Sequence, residues 1–219
     1  MIRSNLKLIE DVKSRVYVVD DNSEMRRSLH CLLDTIDIAA WPFSNAADFL
    51  DEVDGLPPAP VLLDIRMSGM DGFGVLAELA SRGINFPVIV ITAHGDVPTA
   101  VRAMRLGAVD FLEKPFQLSE LEYALGIAFA AIVEHSRAVV EQSAARTRFN
   151  RLTPREFEVV DALMRGLSNK LIANRLILSA RTIEMYRAHA LIKLGVKSVP
   201  EMMALAALAG MGTMPELAA

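Results

Sequence analysis

The chain has 219 residues, of which 52% are apolar and 23% charged, a composition that is typical of a globular protein with one or two domains and excludes an intrinsically disordered one. Cys31 is the only cysteine, so an intramolecular disulfide is excluded and a reducing, cytoplasmic location is expected. The longest uncharged apolar run, residues 123–133, is too short to cross a bilayer, and the N-terminal residues lack the apolar segment of a signal peptide. We therefore expect no membrane partner and no export.

Charge is distributed unequally along the chain, which indicates two domains. Residues 1–130 carry a net charge of -8, whereas residues 131–219 carry +4. Within the second part, residues 146–197 contain 11 basic and 4 acidic side chains, a balance that favours a polyanionic partner such as double-stranded DNA. We predict an acidic domain over residues 14–130, a linker over 131–149 and a basic domain over 150–214.

Short apolar runs predict five β-strands in the acidic domain. The runs lie at 16–19, 61–64, 87–91 and 108–112, with a weaker one at 36–40. Apolar strands that alternate with helical segments are typical of βαβ units, in which helices cover both faces of a parallel sheet. The predicted fold is therefore α/β, a doubly wound five-stranded parallel sheet. Asp37 and Trp41-Pro42 predict that the second strand and its exit are irregular.

Polar side chains follow these strands where each one ends: Asp20 and Asp21 after the first, Asp64 after the third, Thr92 after the fourth and Lys114 after the fifth. The carboxyl ends of parallel strands meet at one edge of the sheet, where ligands bind. Three carboxylates there need a compensating cation, and their oxygen atoms suit Mg²⁺, which usually keeps waters and a phosphate among its ligands. Lys114 can then pair with an incoming phosphoryl group, and Thr92 can hydrogen-bond to it.

Three segments of the acidic domain resemble the receiver domain of bacterial two-component response regulators, in particular the FixJ-type group. They are "VYVVDDNSEMR", "VLLDIRMSGMDGFGVL" and "VIVITAHGDVPTAVRAMRLGAVDFLEKPF". The resemblance implies that Asp64 accepts a phosphoryl group from a sensor histidine kinase. It also implies that Mg²⁺ is bound by three carboxylates and one backbone carbonyl oxygen, those of Asp20, Asp21, Asp64 and Arg66.

The same resemblance implies roles for residues of the fourth and fifth strands. Thr92 and Lys114 would contact the phosphoryl group, and Lys114 would be joined to Pro115 by a cis peptide bond. Phe111 matches the aromatic position whose rotamer changes on phosphorylation, although it fits an ordinary core position as well. Ser68 departs from the family pattern, which usually has proline at this position, so the loop loses a restraint on φ and the lifetime of the phosphorylated state is open.

The segment "SELEYALGIAFAAIVEHSRAVVEQSAARTRF" contains no proline and predicts one long helix over residues 119–149. Ser119 and Glu122 have the spacing of a capping box at its start. Two interpretations of its second half remain open. Residues 137–148 are either a helical connector that offers a dimerisation seam, or a solvated tail with frayed ends.

Helix-start signals in the basic domain predict four helices, beginning at Thr153, Ser168, Ser179 and Ser198. Gly166 and Gly195 end the first and the third. The segment "LTPREFEVVDALMRGLSNKLIANRLILSARTIEMYRAHALIKLGVKS" resembles the helix-turn-helix DNA-binding domain of the LuxR/NarL/FixJ type. The resemblance implies that the third helix enters the major groove of DNA while the second braces it over the backbone.

The third helix has an apolar stripe, formed by Ile183, Leu191 and Leu194, that we expect to face inward. Because cations and hydroxyls meet phosphate oxygens without reading bases, we assign phosphate contacts to five residues: Lys170, Arg181, Thr182, Arg187 and Lys193. Glu184 can accept from a cytosine amino group and Met185 can pack on a thymine methyl, so we expect these two to read bases. Each of these residues also fits a solvated helix face.

The pattern as a whole predicts a transcription factor, not an enzyme, whose DNA binding is controlled by phosphorylation of Asp64. The resemblance implies that dimerisation through residues 97–112, the fourth helix and fifth strand, is the link between the two events. A second expected link is that the unphosphorylated receiver, with its net charge of -8, shields the recognition helix of the basic domain. One alternative is a phosphatase that uses Asp64 as nucleophile, but such enzymes usually have an acid/base aspartate two residues later, where this chain has Arg66. The other is a DNA-binding protein whose receiver serves only as an interaction domain, without phosphorylation.

Overall fold

The computed structural model describes residues 15–93 and 95–211, so the predicted outer domain limits at 14 and 214 lie outside the described residues. The chain divides into two compact units, the first ending at His135 and the second beginning at Ser136.

The first unit is built on a five-stranded parallel sheet in the order β2-β1-β3-β4-β5, which confirms the predicted doubly wound α/β fold. The strands are β1 (Arg15–Val19), β2 (Ala39–Phe43), β3 (Val61–Asp64), β4 (Val88–Thr92) and β5 (Asp110–Glu113). All residues of β3 and β4 are buried, because helices cover both faces of the sheet centre.

Four helices and one 3₁₀ turn connect the strands: α1 (Ser23–Asp34), α2 (Ala46–Glu52), the turn Val53–Gly55, α3 (Gly72–Ser81) and α4 (Val97–Arg105). A fifth helix, α5 (Leu118–Phe149), follows β5. Leu33 of α1 and Leu125 of α5 pack on one side of the sheet, and Phe49 of α2 and Leu79 of α3 pack on the other. Side chains at the starts of these helices cap them, as Asp71 does for α3 by accepting from the Gly74 amide.

The second strand differs from its prediction, because it spans Ala39–Phe43 rather than residues 36–40. Asp37 forms a left-handed turn at φ +57°, and Ile38 packs against the core on the α1 side, so neither extends the strand. The strand lies at the edge of the sheet, where a proline is tolerated, and Pro42 pairs with Val18 of β1. The apolar pattern predicted the wrong position for β2 because an edge strand is covered on one side only, so most of its residues are exposed.

Helix α5 also begins differently from its prediction. It starts at Leu118, and the Glu120 carboxylate accepts from the Gln117 amide at 2.7 Å, so the capping interaction lies two residues before the predicted Ser119–Glu122 pair. By length and composition the helix could cross a membrane. Part of its apolar surface is core, since Leu121 belongs to the core of the first unit and Phe149 to that of the second, whereas Tyr123, Val139 and Val140 are exposed.

The second unit contains the helices α6 (Pro154–Met164), α7 (Asn169–Leu176), α8 (Ala180–Leu194) and α9 (Val199–Leu208) in its described part. Thr153 and Glu156 form the predicted capping box, and the predicted caps at Ser168, Ser179 and Ser198 are present. Val159, Ile172, Ile183 and Met202, one from each helix, are fully buried in one core.

A three-residue turn, Ile177 to Ser179, connects α7 to α8, where the sequence predicts the turn of a helix-turn-helix. Ile177 adopts a left-handed conformation at φ 55° and ψ 48°, and its side chain is 91% exposed. A β-branched residue is strained in this conformation, because its Cβ crowds the following carbonyl group. The next residue, Leu178, donates its amide to the carbonyl oxygen of Ala173 and packs against the core, which closes the turn.

Candidate functional sites

A buried acidic pocket lies where β1, β3 and β5 end. The carboxylates of Asp20 and Asp64 are 5% and 9% exposed, and one ammonium group, that of Lys114, bridges them. Its Nζ donates to Oδ2 of Asp20 at 2.9 Å and to Oδ1 of Asp64 at 2.7 Å. Two buried carboxylates thus share one cation, which leaves the pocket with an excess of negative charge and open to a further cation.

The surroundings shift the protonation of this cluster. Burial, reinforced by the charge of Asp20, raises the pKa of the Asp64 carboxyl, although the hydrogen bond and the charge of Lys114 oppose this. Burial acts to lower the pKa of Lys114, but its bonds to the two carboxylates outweigh that effect and the pKa is raised. The second oxygen of Asp64, Oδ2, accepts from the Arg66 amide at 2.7 Å, which fixes the carboxylate orientation.

Asp21 does not join the other two carboxylates, in contrast to the expected convergence of three. Its Oδ2 accepts both from the amide and from the hydroxyl of Ser68, each at 2.8 Å. These bonds lower the pKa of Asp21. Within residues 15–93 and 95–211, no group of three His, Cys, Asp or Glu side chains is placed to hold a metal. The donor chemistry nevertheless fits Mg²⁺, since Asp20 and Asp64 supply hard oxygen atoms and Asp21 follows directly in the chain.

The remaining residues predicted for this edge lie around the pocket. Thr92 is 1% exposed at the end of β4, and its carbonyl oxygen accepts from the Lys114 amide at 2.8 Å. The peptide bond between Lys114 and Pro115 is cis, as the resemblance implied. Phe111 is half-buried and packs against the core beneath α2, α3 and α4. Arg66 is exposed and, with Thr92, lines an open cleft beside Asp64.

Sequence reasoning missed a contact beside this cleft, between Glu113 and Gly95. The Gly95 amide donates to Oε1 of Glu113 at 3.0 Å, and a Cβ added at Gly95 would lie 2.6 Å from Cδ of Glu113. A glycine is therefore required here while Glu113 keeps this position. A contact between a side chain and the backbone of a loop leaves no periodic signal in the sequence.

Helix α8 has two distinct faces. Ile183, Ala190 and Leu194 are buried in the core of the second unit and Leu191 is partly buried, which agrees with the predicted inward stripe. The residues predicted to meet DNA are mostly open to solvent: Arg181, Glu184, Met185 and Lys170 are exposed, and Thr182 and Arg187 are half-buried. The Thr182 hydroxyl already shares a hydrogen bond of 2.8 Å with that of the helix cap Ser179.

Lys193 has a different environment from the one predicted. Its Nζ lies 2.7 Å from Oε2 of Glu156, whose side chain is 5% exposed. The same oxygen accepts from the Thr153 amide at 2.8 Å. Burial acts to raise the pKa of Glu156, but the bonds from Lys193 and Thr153 outweigh it and the pKa is lowered. We therefore reassign Lys193 from DNA phosphate to a structural ion pair between α8 and the start of α6.

Comparison with known proteins gives two family matches. Residues 16–126 match the response regulator receiver domain, and residues 150–206 match the luxR family of bacterial regulatory proteins. The transcriptional regulatory protein FixJ of Bradyrhizobium diazoefficiens is 44% identical over 201 residues, which cover 91% of this chain and 97% of that protein. FixJ of Azorhizobium caulinodans is 42% identical over 195 residues, covering 89% and 92%.

Two solved structures extend the likeness over both units. The response regulator StyR aligns with a TM-score of 0.72 at 34% identity, over 89% of this chain and 98% of that one. Full-length FixJ from B. japonicum aligns with a TM-score of 0.54 at 42% identity, over 91% and 98%. The curated relatives are transcriptional regulators, a non-enzymatic group, in agreement with the expectation that this chain is not an enzyme.

Proposed function

The chain belongs to the response regulators of two-component systems, with a receiver domain and a LuxR-type DNA-binding domain, and from this we propose that Asp64 is the phosphoacceptor that controls its DNA binding. Control by phosphorylation is the mechanism of the family. The observation that supports Asp64 most strongly is its place in the pocket, where it is buried beside Asp20 and bonded to Lys114.

In the proposed reaction, a carboxylate oxygen of Asp64 attacks the phosphorus of a phosphohistidine on the sensor kinase. An O–P bond forms, the P–N bond breaks, and its electron pair stays on the imidazole nitrogen. Lys114 already contacts Asp64 and Asp20, so its ammonium is placed to pair with the transferred group. Thr92, at the end of the neighbouring strand, donates to a phosphoryl oxygen.

Mg²⁺ would be held by the carboxylates of Asp20, Asp21 and Asp64 and the carbonyl oxygen of Arg66, and would neutralise charge on the phosphoryl oxygens. Phe111 lies in β5, Pro115 directly follows Lys114, and both belong to the proposed switch. Phe111 would change its packing when Thr92 is drawn towards the phosphoryl group.

The test is labelling with a small phosphoryl donor and Mg²⁺, followed by intact mass. One phosphoryl group should be gained by the wild type but not by Asp64→Asn. Asp51→Asn, an exposed aspartate outside the pocket, serves as the matched control and should be labelled as the wild type is. Absence of labelling in all three proteins would instead support a receiver that acts as an interaction domain without phosphorylation.

The second part of the proposal is that α8 enters the major groove of DNA. Phosphates would be contacted by Lys170, Arg181, Thr182 and Arg187, and bases by Glu184 and Met185. The support is that Arg181, Glu184 and Met185 are exposed on α8, away from its buried stripe, and that Lys170 of α7 is exposed too. A change at Met185 should alter the preferred site sequence, whereas a change at Lys170 should weaken binding to all sequences alike.

The third part is that phosphorylation promotes a homodimer through residues 97–112. Val97, Val101 and Met104 of α4 are 75%, 43% and 49% exposed, an apolar surface that a second receiver can cover. Sedimentation should show dimers of the labelled wild type but not of labelled Val101→Asp. Ala77→Asp, on the exposed side of α3, is the control for the added charge. We infer from this activity that the protein works in the cytoplasm, where a sensor kinase can phosphorylate it and promoter DNA is accessible.

A further inference from the structure

Ser68 makes an unusual pair of contacts with one oxygen atom of Asp21. Its backbone amide and its hydroxyl both donate to Oδ2 at 2.8 Å. Ser68 lies in the loop between β3 and α3, four residues after Asp64, so it belongs to the same edge of the sheet as the acidic pocket. Asp21 is thus bonded to the loop, whereas Asp20 and Asp64 are bonded to Lys114.

The two bonds hold the Asp21 carboxylate in a fixed position. Mg²⁺ demands a near-ideal octahedral arrangement at short distances, so a carboxylate ligand must be able to move to the metal. Among the described residues, Asp21 is not grouped with the other two carboxylates. Bringing it to them would cost hydrogen bonds to a charged acceptor, which are stronger than neutral ones.

We propose that Ser68 holds Asp21 away from the magnesium site and thereby weakens Mg²⁺ binding by the unphosphorylated receiver. The inference rests on the proposed metal site and identifies a positioning residue within it. The receiver would then require a higher Mg²⁺ concentration for phosphorylation than one with proline at this position. Proline has neither an amide hydrogen nor a hydroxyl, so it can form neither bond.

Both partners are exposed, so water competes for each bond and the effect is modest. Loss of one such bond corresponds to a change of about fivefold in the dissociation constant. Ser68→Ala removes the hydroxyl and keeps the amide, so it should bind Mg²⁺ about fivefold more tightly than the wild type. Ser68→Thr keeps both donors and should restore the wild-type value.

The experiment is calorimetric titration of the full chain with MgCl₂, without any phosphoryl donor. Ser81→Ala is the matched control, because the Ser81 hydroxyl donates to the carbonyl oxygen of Glu78, away from the pocket. Ser68→Ala should bind Mg²⁺ more tightly than the other three proteins. Ser68→Thr, the wild type and Ser81→Ala should bind it with equal affinity. Ser68→Pro should bind at least as tightly as Ser68→Ala.

Other outcomes separate this inference from the proposed site. Suppose that the wild type binds Mg²⁺ and Asp64→Asn does not. Unchanged or weaker binding by Ser68→Ala then overturns the role of Ser68 but leaves the metal site standing. Weaker binding would mean that Ser68 orients Asp21 towards the metal. No binding by the wild type or by any Ser68 variant overturns the metal site together with the role of Ser68.

Discussion

Replacing Lys114 with methionine should destabilise the first unit at neutral pH and much less in acid. The side chain of Lys114 is 14% exposed, and its ammonium is bonded to carboxylates that are 5% and 9% exposed, so little solvent is available to replace it. Methionine keeps the length of the chain but leaves Asp20 and Asp64 buried without a cation. Removing one partner from a buried ionic cluster costs about 3–5 kcal/mol, and we expect the lower end because the cluster is not fully buried.

The pH dependence follows from the raised pKa of Asp64. A carboxyl group whose pKa is higher in the folded than in the unfolded state favours folding when it is protonated, and this contribution is lost as the pH rises through the folded pKa. Without Lys114 that pKa should rise further. The difference in unfolding free energy between Lys114→Met and the wild type should therefore be largest above the folded pKa and should shrink as the pH falls.

Trp41 provides the assay, since it is the only tryptophan and its ring lies 6.3 Å from that of Tyr17 inside the first unit. Urea unfolding followed by its fluorescence at pH 7.5 and pH 5 gives the two free energies. Lys170→Met, an exposed lysine of the second unit, is the control. If Lys114→Met is as stable as the wild type at pH 7.5, or if its deficit is the same at both pH values, the reasoning about the buried cluster is wrong.

Three further predictions concern the second unit. Ile177→Asn should raise its unfolding free energy by about 1 kcal/mol, because asparagine tolerates the left-handed conformation; a lower value in urea unfolding would contradict the assigned strain. Lys193→Met should lower the unfolding free energy of this unit by about 2 kcal/mol, because the buried Glu156 loses its cation. Since the pKa of Glu156 is lowered in the folded state, this loss of stability should shrink as the pH falls through that pKa. Equal losses at pH 7 and pH 4 would contradict a stabilising ion pair. Arg187→Ala should weaken DNA binding and reduce the slope of log K against log salt by about 1, as measured by fluorescence anisotropy; an unchanged slope would exclude a phosphate contact.

The sequence predicted the sheet and its acidic edge because both depend on patterns that are local in the chain. Each central strand is a continuous apolar run, and in a parallel sheet the residue after each run must reach the same edge, which brought Asp20, Asp64 and Lys114 together. The edge strand β2 was misplaced because one of its sides has no neighbour, so its residues carry no continuous apolar signal.

Contacts between distant side chains were the part that patterns could not supply. The positive charge of Lys193 fits DNA phosphate as well as it fits Glu156, and only the packing of α8 against α6 distinguishes them. For Ser68, the sequence indicated the loss of a proline restraint, but its two bonds to Asp21 depend on how close the loop comes to β1.

The presence of α5 in both hydrophobic cores affects where the chain can be divided for separate production of its parts. Ile132 is 3% exposed in the core of the first unit, while Ala145 and Phe149 are 2% and 3% exposed in that of the second. A receiver fragment that stops at residue 130 therefore loses a buried side chain. A DNA-binding fragment that starts at residue 150 lacks an aromatic ring from its interior, a deletion that costs about 3–5 kcal/mol in a typical core. The workable cut lies between residues 135 and 145, in the stretch of helix that neither core uses.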